Sequence, residues 1–388
     1  MTMQKRKSVI LQILPALESG GVERGCVDIA RALKTQGFEP VIASAGGVLT
    51  YQLRERGIRH YDLPLNKKNP FTIYKNIAKI EKIIKENYVD IVHVRSRAPM
   101  WSAYFACKKN NVKLVATVHG TYSLKFWKWK IFPLKRIYNE IMLKANQVIA
   151  VSSFIKDYIA QNYKINVEDK ITIINRGADL SYFDAAKVST SRIIDLVKKW
   201  HLPEDKKIIL MPARFTAWKG HEFLIDALAK VKGEFFCAFV GSDHGHENYR
   251  KRLEKKIIDG NLSGKVRIVG MCKDMPAAYA LSDFVVFPSL RPEAFGRISI
   301  EAQACEKIVI STNIGGARDT IIEGETGFFV EPNDSENFAK LIDKVLQMSK
   351  EETSAMGRRG RKNIKDNFSN DKMCNDTIAI YQKILSQK

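Results

Sequence analysis

Short apolar runs alternate with amphipathic stretches along almost the whole chain, and this rhythm limits the possible folds more than any other feature. Strands are expected over residues 8–14, 41–44, 90–94, 113–118, 147–151 and 170–174, with helices over 22–35 and 99–110. A polar, helical connection covers 187–205. The rhythm then restarts, with strands over 207–211, 235–240, 265–269, 284–287 and 308–311. Helices are expected over 220–231, 248–260, 277–282 and 295–305, and two helical stretches follow Pro332. Apolar β-prone runs joined by helices make a parallel sheet covered on both faces. Two such rounds in 388 residues predict an α/β protein of two doubly wound, Rossmann-like domains, residues 1–186 and 187–369. A last helix over about 370–388 is expected to pack back on the first domain. Ligands of such sheets sit beyond the carboxyl ends of the strands, so two facing domains put the expected site in the cleft between them.

Charge divides the chain unequally. Lys and Arg number 63 against 42 Asp and Glu, a net +21. Residues 1–200 carry 34 basic and 16 acidic side chains, and residues 201–388 carry 29 and 26. The densest stretch, 101–150, holds 9 basic residues and 1 acidic. An excess confined to one half points to an anionic partner: nucleic acid, an acidic substrate or a membrane surface. The six cysteines are scattered without a C-x-x-C pair, which predicts a reduced cytoplasmic protein. Basic residues before the run at 8–17 imitate a signal peptide. Gln12 and Pro15 interrupt that run and no small-x-small site follows, so a buried first strand is expected instead.

Several constellations could carry chemistry. Glu293 and Glu301 lie eight residues apart in Pro288-Ser-Leu-Arg-Pro-Glu-Ala-Phe-Gly-Arg-Ile-Ser-Ile-Glu301. In a continuous helix they would stand about 12 Å apart at about 1.5 Å per residue. That span suits a ligand with hydroxyls at both ends and an anionic middle, which the helix start near Phe295 and Gly296 would face with free amides. Arg214, Lys219 and Gly220 follow a strand and could clamp a diphosphate. Gly20 and Gly21 open the first helix, but G-x-G-x-x-G is absent. His119 ends another strand, and Gly315-Gly316 makes a further Gly-rich turn. In Asp243-His-Gly-His246, two histidines at i, i+2 lack an obvious third ligand, so no metal site is expected at His244 and His246.

Together these motifs resemble the retaining family 4 glycosyltransferases of GT-B fold, over nearly the whole chain. Glu293 to Glu301 matches the E-x7-E element, Gly20–Arg24 matches G-G-x-E-R, and Arg214 with Lys219-Gly220 matches R-x4-K-G. The resemblance implies that Arg214 and Lys219 hold the donor diphosphate and that Glu293 contacts the donor sugar. It implies that Phe295 and Gly296 offer amides, Glu301 binds ribose hydroxyls, Gly20 and Gly21 border the diphosphate, and His119 lies near the transferred sugar. Asp319 stands where the family often has Glu, which leaves its role open. The implied reaction is front-face transfer with retention, without a cofactor or a metal.

The stretches at 93–104 and 118–122 are similar to bacterial lipopolysaccharide-core mannosyltransferases, which implies GDP-mannose as donor and a lipid A–Kdo core as acceptor. A UDP-sugar with another glycolipid or polysaccharide acceptor is the alternative. Aromatics and cations interleave around Trp127, Lys128, Trp129, Lys130, Lys135 and Arg136, and Arg95 and Arg97 add charge nearby. Such mixtures favour an anionic bilayer interface, so a peripheral position on the inner face of the cytoplasmic membrane is expected. No nucleic-acid-binding motif accompanies the charge, and the motif pair argues against an epimerase or a phosphorylase.

Overall fold

Strand β1, Val9–Ile13, is buried at every position, as a strand in the middle of a two-faced parallel sheet must be. The structure, a computed structural model, describes residues 6–121, 132–243 and 245–387. The chain divides into two compact units, Met1–Gly177 with Asn370–Lys388, and Ala178–Ser369.

In the N-terminal unit, β1 is followed by α1 (Gly21–Thr35), β2 (Glu39–Ser44), α2 (Thr50–Glu55), β3 (Arg59–Asp62) and α3 (Pro70–Glu86). Then come β4 (Ile91–Val94), α4 (Arg97–Asn110), β5 (Lys113–Val118), α5 (Phe132–Glu140), β6 (Gln147–Ala150), α6 (Ser153–Asn162), α7 (Val167–Lys170) and β7 (Ile171–Ile173). Among the described residues the strands form one parallel sheet in the order β3-β2-β1-β4-β5-β6-β7. The order reverses at β1 and β4, the place where such sheets bind ligands.

The C-terminal unit repeats the plan. It runs α8 (Thr190–Trp200), β8 (Lys207–Pro212), α9 (His221–Leu228), β9 (Phe235–Val240), α10 (Glu247–Asp259), β10 (Val266–Gly270) and α11 (Met275–Leu281). It continues with β11 (Phe284–Phe287), α12 (Arg297–Ala304), β12 (Ile308–Thr312), β13 (Gly327–Val330), α13 (Ser335–Gln347) and α14 (Lys350–Asn367). Its sheet order is β10-β9-β8-β11-β12-β13. The aromatic core includes Phe215, Phe235, Phe239, Phe284 and Phe338.

The last helix, α15 (Asn370–Ser386), belongs to the N-terminal unit. Its Met373, Ile378 and Tyr381 pack with Ile10, Ile29, Ile91 and Val115. The buried His93 ring bonds Tyr381 Oη through Nδ1 at 2.5 Å and Thr117 Oγ1 through Nε2 at 2.7 Å, pinning α15 to the middle of the sheet.

The structure departs from the expected plan in several places. Unit two begins at Ala178, not at 187, because Ala178 donates to Phe368 O and bridges Ser369. The region after Pro332 forms α13, α14 and α15 rather than two stretches. Ser349 and Glu352 make a capping box that starts α14 anew. β3 and α3 were not anticipated: β3 is a polar edge strand with no buried position.

Candidate functional site

In the C-terminal unit, the turns at the carboxyl ends of β8, β11 and β12 lock into one another through glycines. Gly220 takes φ +80°, and a Cβ there would overlap the Pro288 carbonyl oxygen. Gly315 takes φ +65°, and a Cβ would come within 2.6 Å of the Glu293 carbonyl oxygen. Gly316 N donates to that oxygen at 2.8 Å, and Leu290 N donates to Trp218 O at 2.8 Å. Only glycine adopts such conformations without strain, so the sequence fixes where these backbones meet.

This framework brings Lys219 to Glu293. Lys219 is 7% exposed, and its ammonium donates to Glu293 Oε1. It also stands 4.5 Å from the Trp218 ring centroid and 5.3 Å from that of Phe287. Ser289 Oγ donates to the same Glu293 oxygen at 2.6 Å, and Thr312 Oγ1 donates to Ser289 O at 2.6 Å. Arg214 is exposed just past β8, and its guanidinium makes no hydrogen bond or ion pair to any described residue. A fixed carboxylate, a shielded cation and a free guanidinium at one end of a sheet can hold hydroxyls and phosphate oxygens.

The stretch from Glu293 to Glu301 is not one continuous helix. Gly296 takes φ +88° as the N-cap of α12, which starts at Arg297. Phe295 is buried against Phe368, with ring centroids 6.1 Å apart, so its side chain serves packing. Glu301 accepts from Arg297 Nη2 at 2.9 Å and from Tyr279 Oη at 3.2 Å. Burial and the Glu301 charge push the Tyr279 phenol well up, so it remains a donor. Asp319 ends the 3₁₀ turn Gly315–Asp319.

In the N-terminal unit, Gly20 caps α1 and Gly21 begins it. The Glu23 carboxylate folds back to the place a Gly20 Cβ would fill, at the positive end of the helix. His119 follows β5 and is half-buried; its Nε2 has no hydrogen-bond partner among the described residues. Burial, then the charges of Arg176 and Arg95, hold its pKa well below the usual histidine range. The imidazole is therefore neutral near pH 7, an exchanger of hydrogen bonds rather than a cation.

Arg95 does not belong to a surface patch. It is 4% exposed and donates to Gln12 Oε1 at 2.6 Å, because it continues the buried strand β4 and its amide bonds Ile13 O. Arg97 donates to Asn139 and lies over the Tyr138 ring, and Arg136 pairs with Glu140 at 2.8 Å. Trp127, Lys128, Trp129, Lys130 and His244 lie outside the described residues, as does the Lys135 side chain. Among the described residues no group of His, Cys, Asp and Glu could hold a metal ion.

The sequence reading missed Ser289, Thr312, Tyr279, Arg297 and Arg176. Arg176 is buried and donates to Gly21 O, filling the space a side chain at Gly25 would need. A hydroxyl near Glu293 in the P-S-L-R-P-E run is the signal that could have found Ser289.

Residues 19–182 match the model of Glycosyltransferase Family 4, and residues 193–363 match that of Glycosyl transferases group 1. A capsular polysaccharide biosynthesis glycosyltransferase of Staphylococcus aureus is 30% identical over 264 residues, 67% of either chain. The crystal structure of a glycosyltransferase from Rickettsia africae is 42% identical, with a TM-score of 0.90 over 98% of this chain and 100% of that one. HepE from Anabaena, in complex with UDP, is 21% identical with a TM-score of 0.82 over 97% of this chain and 100% of its own. At that identity the likeness is one of fold. The chain belongs to the family 4 glycosyltransferases, with two Rossmann-like parallel-sheet domains of the GT-B type.

Proposed function

We propose that the protein transfers a hexose from a nucleotide sugar, with retention at the anomeric carbon, to an anionic glycolipid at a membrane surface. One observation carries this reading: Lys219, Glu293 and Ser289 form a single hydrogen-bonded group beside the start of α12. Arg214 and Lys219 then meet the charge that develops on the leaving diphosphate, and the first amides of α12 add to them. Glu293 holds hydroxyls of the transferred hexose, and Glu301 holds those of the ribose. Gly20, Gly21 and His119, all of the N-terminal unit, are the remaining residues that the family resemblance assigns to the donor. The acceptor hydroxyl attacks the anomeric carbon on the face the diphosphate leaves, its proton passes to the departing phosphate oxygen, and no protein nucleophile takes part.

The specific form of this reading is mannose from GDP-mannose to a lipopolysaccharide core, at the inner face of the cytoplasmic membrane. The similarity of the 93–104 and 118–122 stretches and the basic N-terminal half support it. A second reading, a UDP-sugar with a polysaccharide or other glycolipid acceptor, is favoured by the capsular role named for the Staphylococcus relative and by the UDP in the Anabaena structure.

A thermal-shift screen of GDP-, UDP- and ADP-sugars separates the two. A ligand at a hundred times its Kd stabilises the folded state by about 2.7 kcal/mol. GDP-mannose is expected to give the largest rise. A larger rise with a UDP-sugar selects the second reading, and no rise with any nucleotide sugar contradicts both.

A further inference from the structure

The helix that the sequence reading did not anticipate has two sharply different faces. On α3, Asn76, Ile80, Ile83 and Ile84 are buried in the N-terminal unit. The opposite side exposes Phe71 (66%) and Tyr74 (74%) with Lys75, Ala78, Lys79, Lys82 and Lys85. At about 100° per residue these positions, together with the exposed Glu86, fall within one arc about 140° wide. Lys67 and Lys68 are exposed in the turn leading into the helix. The Lys75 ammonium stands 4.2 Å from the centroid of the Phe71 ring. The nearby carboxylates are engaged: Glu86 pairs with Lys82 at 3.6 Å, and Glu81 pairs with Lys109 of α4 at 2.9 Å. The face is therefore aromatic at its amino end and cationic along its length.

We infer that the outward face of α3 is a docking surface for a bilayer rich in anionic lipid, with Phe71 and Tyr74 entering the interface and the lysines contacting headgroup phosphates. The lysines complement anionic headgroups, and the helix sets them on the same face as the two rings. Large rings next to water are costly unless an apolar phase receives them. Long lysine side chains reach past such rings to a polar boundary. A straight helix about 25 Å long presents them to a plane. Among the described residues no helix is long and apolar enough to cross a membrane, so binding would be from one side. A nucleic acid would use the lysines but would give Phe71 no apolar phase to enter.

The inference rests on the proposed membrane-borne acceptor for its purpose, and on the α3 side chains alone for its test. The experiment is co-sedimentation with phosphatidylglycerol-containing vesicles and with pure phosphatidylcholine vesicles, at low and high salt. Wild type is compared with Lys75→Glu/Lys79→Glu/Lys82→Glu and with Phe71→Ser/Tyr74→Ser, all at exposed positions that leave the fold intact. Circular dichroism and turnover of a soluble donor serve as controls. Each lysine near an anionic surface is worth about fivefold in affinity, so reversing three should weaken binding at least about a hundredfold. The aromatic pair should weaken it about tenfold or more, neutral vesicles should not bind, and donor turnover should be unchanged. Equal binding by both variants, or displacement from vesicles by single-stranded RNA that the Phe71→Ser/Tyr74→Ser variant still binds, would overturn the inference. Normal donor turnover with no affinity for anionic vesicles also overturns it, while leaving the glycosyl-transfer reading intact.

Discussion

Lys219 keeps its ammonium on Glu293 and beside two aromatic rings, a setting that fixes its position. If it stabilises the leaving diphosphate, Lys219→Ala should lower turnover on the order of 10²-fold with the fold intact, as removal of one such donor does. Ser289→Ala should lower it less, because Glu293 keeps its bond to Lys219. Steady-state turnover of the preferred donor checks both, and near-wild-type rates in Lys219→Ala would remove it from the machinery. His221 offers a test of a different kind. It is fully buried among Phe215, Phe239 and Tyr249. Burial, then the Lys219 charge, lowers its pKa to about 3. The unfolded chain, with an ordinary value of about 6.5, binds the proton first, so stability is full above about pH 6.5 and falls as pH drops toward 3. His221→Phe should flatten that fall, by on the order of 3 kcal/mol between pH 7 and pH 4. Melting temperatures of both proteins across this range decide it, and parallel curves would contradict the assignment. At this scale the sequence made Glu293, Glu301, Arg214 and Lys219 legible because their spacing is rigid within short motifs. It hid Tyr279, whose hydroxyl sits in the otherwise apolar run 275–281, and Ser289, whose bond to Glu293 needs the fold of the turn between them. It misplaced Arg95, because an arginine beside Arg97 reads as surface until β4 turns it inward.

Among elements, the turns rather than the strands carry the site. Gly220→Ala would force a Cβ into the left-handed region and against the Pro288 carbonyl. The expected loss is about 3 kcal/mol, or a fall of about 10 °C in the melting temperature of a unit this size. Donor binding should fall with it, because the same turn places Lys219. Calorimetry with and without donor measures both, and an unchanged melting temperature would show that the turn relaxes freely. The apolar strands from β1 to β12 were legible because buried parallel strands are continuous hydrophobic runs. β3 was not, since an edge strand reading Arg-His-Tyr-Asp has no such run. α3 escaped because its lysines interrupt an apolar stripe that only the helix brings together. The extra helix end at Ser349 is a hydrogen-bonded cap, a local signal that helical periodicity overrides.

For the whole molecule, the charge asymmetry and the two-sheet plan divide the work. On the proposed function, the nearly neutral C-terminal half needs only a few placed cations for a nucleotide sugar, and the positive charge of the N-terminal half suits the proposed anionic acceptor. The proposed function rests on retaining transfer from a nucleotide sugar by the Lys219–Glu293 group. The most direct test follows turnover of the preferred nucleotide sugar by proton NMR and reads the anomeric configuration of the first product. The α-anomer is expected from an α-linked donor, formed before mutarotation and lost in Glu293→Ala. First appearance of the β-anomer, or unchanged turnover in Glu293→Ala, would contradict it.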